Sequence, residues 1–175
     1  LLVISSGCKE SEVFELLETI KPVRGRMELA ATRRNGASVY VDYAHTPEAI
    51  EVALKSLKPH ILGKLIVIIG AGGERDEGKR PLMGLAAEKN SDFVIITDDN
   101  PRNEDPQLIH QMIKNGIKDK NKVMVIGDRA EAILKAVDLL GVGDCLLIAG
   151  KGHETEQFIG ENIFPFDDFE QASLS

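Results

Sequence analysis

Continuously apolar runs, rather than alternating ones, punctuate this chain. Residues 65–69, 93–97, 123–126 and 145–149 are short stretches rich in Val, Ile and Leu, and residues 39–42 form another that ends on Asp42. A strand packed against helices on both faces needs no polar side, so such runs mark buried parallel strands.

Helical periodicity fills the gaps. Residues 47–58 put Ile50, Ala53, Leu54 and Leu57 on one face, with Thr46 as N-cap and Pro47 in the first turn. Asp105 and Pro106 open a second helix, with Leu108, Ile109, Met112 and Ile113 expected inward. Asp128 and Glu131 have capping-box spacing before Ile133, Leu134, Val137 and Leu140, and Gly141 is expected to close that helix. Residues 81–90 form a shorter helix with Leu82, Leu85 and Ala86 available for packing.

Strand and helix alternate at steps of about 25 to 30 residues, the rhythm of βαβ units. The fold class predicted is therefore α/β: a mostly parallel sheet with helices on both faces. The tail, residues 159–166 and then Asp167 onward, is expected to add an edge strand and a last helix. Residues 11–20 form a helix before a turn at Pro22, and the first 25 residues look like the end of a preceding domain and its linker. The absence of an initiator Met points to a piece of a longer chain.

Composition narrows the function classes. The chain has 175 residues and a formal net charge of −7, which disfavours general binding to nucleic acid or anionic membranes. No apolar run approaches the roughly 18 residues of a membrane helix. Cys8 and Cys145 form no CxxC pair, so a reduced, cytoplasmic protein is expected. His60, His110 and His153 share no ligand spacing with one another or with the cysteines, and no metal site is expected.

The unusual polar residues cluster directly after the strands: Asp42-Tyr43-Ala44-His45-Thr46-Pro47, residues 70–80, residues 98–102, Gly127-Asp128-Arg129, and Gly150-Lys151-Gly152-His153-Glu154. In an open parallel sheet these loops share one rim, where ligands bind. Gly73 to Lys79 fits GxxxxGK, but Arg80 stands where a phosphate loop needs a Ser or Thr to bind Mg²⁺. GxGxxG is absent too, which disfavours a dinucleotide site.

Six words in order resemble the Mur ligases, in particular their diaminopimelate-adding branch. They are Gly25-Arg26-Met27-Glu28, the Asp42 word above, Gly72-Gly73-Glu74-Arg75-Asp76, Gly78-Lys79-Arg80-Pro81-Leu82-Met83-Gly84, Asp99-Asn100-Pro101-Arg102, and the Gly150 word. Ala71 and Glu74 depart from the family, where Cys and Asp are frequent. The resemblance implies a Rossmann-like, amino-acid-binding C-terminal domain over residues 22–175, with residues 1–21 ending a central ATPase domain. It implies an ATP- and Mg²⁺-dependent ligase of peptidoglycan synthesis that joins meso-diaminopimelate to UDP-N-acetylmuramoyl-L-alanyl-D-glutamate through an acyl phosphate. The central domain would bind most of the ATP and the Mg²⁺, so this segment is expected to be inactive alone.

The same resemblance assigns residues. Arg75, Asp99, Asn100, Arg102, Gly150 and Glu154 are expected to bind meso-diaminopimelate. Arg26, Asp42 and His45 are expected to contact the nucleotide, without a proton-transfer role. Arg102 is the specificity residue: its guanidinium fork suits the second carboxylate that lysine lacks. The bland alternative for residues 99–102 is a capped turn. Other readings are a lysine-adding ligase, a folylpolyglutamate synthetase, or a stand-alone Rossmann-like binding module. Arg102 and Asn100 weigh against the first two, and the missing phosphate loop and the Leu1 start weigh against the third.

Overall fold

The computed structural model describes residues 6–17, 19 and 22–175. The predicted helix over 11–20 is present as α1 (Glu10–Leu17), while residues 18 and 20 lie outside the described residues. So do residues 1–5 and 20–21, on which the apolar start and the expected domain boundary fall.

The main sheet holds β1 (Glu28–Thr32), β2 (Ser38–Asp42), β3 (Leu65–Ile69), β4 (Phe93–Ile96), β5 (Val123–Val125) and β6 (Cys145–Ala149). Its order is β1-β2-β6-β3-β4-β5, parallel throughout except for β1, which pairs antiparallel with β2. β6 returns to the slot between β2 and β3 and so reverses the direction in which β3, β4 and β5 were added. That is the switch point at which open α/β sheets bind ligands.

The apolar runs of β3, β4 and β6 are buried because alternate side chains feed two cores, whereas β5, expected to be buried as well, lies on the edge with Val125 39% exposed. On one face Leu65, Val67, Ile69, Leu147 and Ala149 pack against α2 (Pro47–Leu57), α3 (Lys79–Asn90) and α4 (Pro106–Asn115). On the other, Ile66, Ile68, Ile95, Leu146 and Ile148 meet α5 (Arg129–Asp138) and Ala172 of α6 (Asp168–Leu174). Thr46, Asp105 and Asp128 cap α2, α4 and α5 through their side chains, as the spacing predicts.

Several inward expectations are corrected. α3 begins two residues early and carries Arg80, wholly buried, on its inner face. That anchor sets the helix phase so that Met83 and Ala87 point in and Leu82 and Leu85 point out, at 53% and 40% exposure. In α4, His110 turns inward, its Nε2 lying 2.7 Å from Asp98 Oδ1, and Leu108 is left exposed. α5 buries Ala132, Ile133, Ala136 and Val137 instead of Leu134. It ends at Asp138 with Leu139 as C-cap, short of the expected Gly141.

The tail does not extend the main sheet. It forms a separate antiparallel hairpin of β7 (Glu156–Ile159) and β8 (Asn162–Pro165), followed by α6. β1 was not legible as a strand. Its sequence, Glu-Leu-Ala-Ala-Thr, lacks the β-branched run that marks the others, and it sits on the edge with only partial burial.

The cysteines differ sharply. Cys145 is fully buried in β6, and burial, with Asp144 beside it, pushes its thiol up to about 12. The native state therefore holds that proton where an unfolded thiol would lose it. The stability contributed is complete below the unfolded value near 9 and declines as the pH rises toward 12. Thiol reagents at pH 8 should label exposed Cys8 alone in the native protein and both cysteines after denaturation.

Candidate functional site

Between the C-terminal ends of β3, β4 and β6 lies a cleft of about 250 Å³. Its walls include Arg75, Asp99, Asn100, Arg102, Gly150 and Glu154, together with Tyr43, His45 and Lys79. All six residues expected to bind the amino acid therefore stand around one cavity, although 79 positions separate Arg75 from Glu154 in the chain.

The floor is held by a buried polar network. Lys151 is wholly buried, and its ammonium donates to Asn100 Oδ1 at 2.9 Å and to Glu154 Oε2 at 3.1 Å. With its oxygen taken by Lys151, the Asn100 amide can only turn its nitrogen outward. Nδ2 donates to Glu154 Oε2 at 3.0 Å. The result is a donor, the second N–H of Asn100, beside an acceptor, the other oxygen of Glu154. Such a pair suits the carboxylate and ammonium of an amino-acid end. Asp99 adds a carboxylate, only 9% exposed, with no hydrogen-bond partner among the described residues. A Cβ at Gly150 would stand 2.7 Å from Asp99 Oδ2, so a larger residue would displace that carboxylate, and the φ of 121° there also favours glycine.

Arg102 is the cation of the opposite wall. Its φ of 53° is left-handed, a conformation costing a non-glycine residue about 1 kcal/mol or more. The guanidinium donates through Nη1 to Gly73 O at 2.9 Å and Asn100 O at 3.4 Å. Among the described residues no carboxylate lies within ion-pair distance of it, nor of Arg75. The loop carrying Gly73 and Arg75 is braced from behind. Buried Arg80 donates to Gly72 O at 3.3 Å and pairs with Glu104 at 2.8 Å. Glu104 accepts the Glu74 N–H, which with Arg80 holds its carboxyl below the usual range.

A second groove of about 350 Å³ adjoins the cleft and is lined by Arg26, Asp42 and His45, with Met27, Tyr43, Ala44, Ala49 and Val52. The three residues expected at the nucleotide thus share this groove. Asp42 is already engaged, since its oxygens accept the N–H groups of Met27 and Ala44 at 2.8 Å each. It shapes the turn that presents Arg26. His45 Nδ1 lies 2.7 Å from Tyr43 O.

Tyr43 lines both cavities. The Arg26 guanidinium stands 4.3 Å above its ring, and the rings of His45 and His153 lie 4.5 and 5.2 Å away. Gly25 seats this corner, because a Cβ there would come within 2.1 Å of His153 N and 2.2 Å of Gly152 C. Tyr43 and the bridging role of Lys151 went unassigned in the sequence. The only signal was their place inside the Asp42 and Gly150 words.

The rim is fastened by a fully buried ion pair. Arg129, at the start of α5, donates Nε and Nη2 to Asp168 at 2.7 and 2.8 Å, and also bonds Ala149 O and Asp98 O. Burial pulls the Arg129 pKa down, but Asp168, with Asp99 and Glu154 nearby, raises it overall. Among the described residues no three His, Cys, Asp or Glu side chains converge on a metal position. No helix among them is long and apolar enough to cross a membrane.

A family model described as Mur ligase, glutamate ligase domain, matches residues 25–152. The UDP-N-acetylmuramoyl-L-alanyl-D-glutamate–2,6-diaminopimelate ligase of Bradyrhizobium diazoefficiens is 49% identical over 99% of this chain and 35% of its own length. The enzyme of the same name from Coxiella burnetii is 50% identical over 89% of this chain and 32% of its own length. A solved structure of a ligase so named superposes with a TM-score of 0.81 at 39% identity, covering 96% of this chain and 34% of that one. Folylpolyglutamate synthase from Thermotoga maritima shares the fold, with a TM-score of 0.59 at 25% identity over 81% of this chain and 31% of that one. The chain spans about a third of the length of the curated relatives it matches.

Proposed function

The chain belongs to the Mur ligase family, and from that premise we propose that it is the amino-acid-binding part of an ATP-dependent ligase. That ligase adds meso-diaminopimelate to UDP-N-acetylmuramoyl-L-alanyl-D-glutamate in peptidoglycan synthesis. The observation that carries this reading is the convergence of Arg75, Asp99, Asn100, Arg102, Gly150 and Glu154 on one cleft.

Diaminopimelate is a double zwitterion, with a carboxylate and an ammonium at each end. The cleft offers cations and anions in matching alternation. Arg102 takes the distal carboxylate that lysine lacks, while Asp99, Glu154 and the Gly150 carbonyl take ammonium hydrogens and Asn100 donates to the carboxylate beside them. Arg75 neutralises the carboxylate at the other end. The amine that reacts then stays at the open mouth, beside Tyr43 and His45.

When bound, ATP supplies the phosphoryl group that activates the D-glutamate side-chain carboxylate as an acyl phosphate. The groove of Arg26, Asp42 and His45 fits a nucleotide's edge: Arg26 is a cation fixed over Tyr43, and Ala49 and Val52 give an apolar wall. The Mg²⁺ ligands and most of the phosphate contacts fall to the rest of the ligase. This chain's part is orientation and charge neutralisation, and the attacking amine needs no covalent enzyme intermediate.

Calorimetric titration with meso-diaminopimelate and L-lysine tests the reading. Loss of one charge-assisted carboxylate contact should weaken lysine by about tenfold or more. Equal affinities for the two would remove Arg102 from the role given to it.

A further inference from the structure

We infer that the β7–β8 hairpin is the positioning element of the amino-acid cleft, with Gln157 as its principal positioning residue. The inference rests on the reading of the cleft given above.

The hairpin adds nothing to the main sheet, and every residue of β8 is exposed. A two-stranded ribbon is marginal by itself, so outside contacts must hold it. Those contacts run to the binding loop. Gln157 Nε2 donates to Asp99 O at 2.9 Å. The Phe158 N–H donates to Asn100 Oδ1 at 3.1 Å, and the Phe158 carbonyl accepts the Arg102 N–H at 3.0 Å. The Gly160 N–H donates to Arg102 O at 2.7 Å. Thus Asp99, Asn100 and Arg102 are each tied to the hairpin, across more than fifty positions of sequence.

Two of these ties bracket the one strained residue of the cleft wall. Arg102 keeps its left-handed φ only while its surroundings over-determine it, and the hairpin bonds both its N–H and its carbonyl. The hairpin thereby sets the direction in which the guanidinium leaves the backbone. Gln157 is 8% exposed and is the only hairpin side chain among the four ties, so substitution there removes a tie without touching the backbone. Asp99 O would then lack its partner, and residues 99–102 would lose their alignment with Glu154.

The test uses the full-length ligase carrying this domain. Gln157→Met keeps the length and bulk of the side chain and discards the donor. Its KM for meso-diaminopimelate should rise about tenfold, the effect of one lost hydrogen bond at a positioned loop. KM for ATP and kcat should stay within about twofold, and preference over lysine should fall with the diaminopimelate KM. A KM for meso-diaminopimelate that does not move, or a parallel rise in every KM with a falling thermal midpoint, overturns the inference. Hydrogen exchange in the unaltered, ligand-free ligase decides the matter even if the variant does not fold. Slow exchange of the Arg102 and Gly160 amides supports the hairpin's role, and exchange as fast as an exposed loop overturns it. An unaltered ligase with no preference for meso-diaminopimelate over lysine refutes the reading of the cleft itself, and this inference with it. A normal preference that survives Gln157→Met refutes the hairpin alone.

Discussion

Arg102→Ala in the complete ligase is expected to raise the KM for meso-diaminopimelate about a hundredfold and to leave the KM for ATP within about threefold. The magnitude follows from removing a fork that, on the proposed reading, would make charge-assisted bonds to a carboxylate, worth ~1.5–3 kcal/mol. The selectivity follows from geometry, because Arg102 lines the amino-acid cleft and not the groove of Arg26 and His45. Discrimination against lysine should shrink by a similar factor, since lysine lacks only the group this fork would bind. Arg102→Lys should recover little, because an ammonium cannot bond Gly73 O and also meet a carboxylate through two parallel N–H groups. Steady-state kinetics with each substrate varied measures all three. Equal losses for ATP and the amino acid would remove Arg102 from its assigned place.

Asp168→Ala should destabilise the domain by about 3–5 kcal/mol, the cost of stranding a buried cation by deleting its partner. Arg129 and Asp168 are both fully buried, so solvent screening cannot soften the loss. The Arg129 bonds to Ala149 O and Asp98 O remain but cannot neutralise the charge. Urea unfolding followed by far-UV circular dichroism would give the change in midpoint. A loss below about 1 kcal/mol would mean that water reaches the guanidinium. Replacing both residues with apolar ones should cost much less than Asp168→Ala, because no charge is then left unpaired.

Most of the fold was legible because its strands are buried on both faces. Leu65–Ile69 and Cys145–Ala149 coincide with their apolar runs, since nothing polar is tolerated there. β1 was not legible because an edge strand of Glu, Leu, Ala, Ala and Thr carries neither pattern. Helix existence followed from periodicity and capping chemistry, and so did the phase of α2, where Ile50, Ala53, Leu54 and Leu57 are all buried, but the phase of α3 did not. The burial of Arg80 turns α3 away from the face that its leucines alone would choose, and in α4 His110 joins Ile109 and Ile113 inside while Leu108 stays exposed.

The gathering of the site residues was legible for a related reason: loops after parallel strands share a rim whatever their order in the chain. What eluded the sequence was the support behind them. Lys151 reads as a solvated lysine in a glycine turn, and only a count of its partners shows it inside. Gln157 is a neutral residue in a short strand, tied to a carbonyl 58 positions away. Arg129 and Asp168 each sit at a helix start, where charge is ordinary, and 39 residues separate them.

Gly25 has a practical consequence for engineering. Its α-carbon abuts the backbone of Gly152 and His153, and a Cβ at Gly152 would in turn stand 2.7 Å from the Tyr43 Cβ. A loop grafted over residues 150–154 that carries a side chain at 152 would therefore clash with Tyr43 and the Gly25 carbonyl if transplanted alone. Such a loop must travel with its own counterparts of residues 25 and 43, as one indivisible cassette.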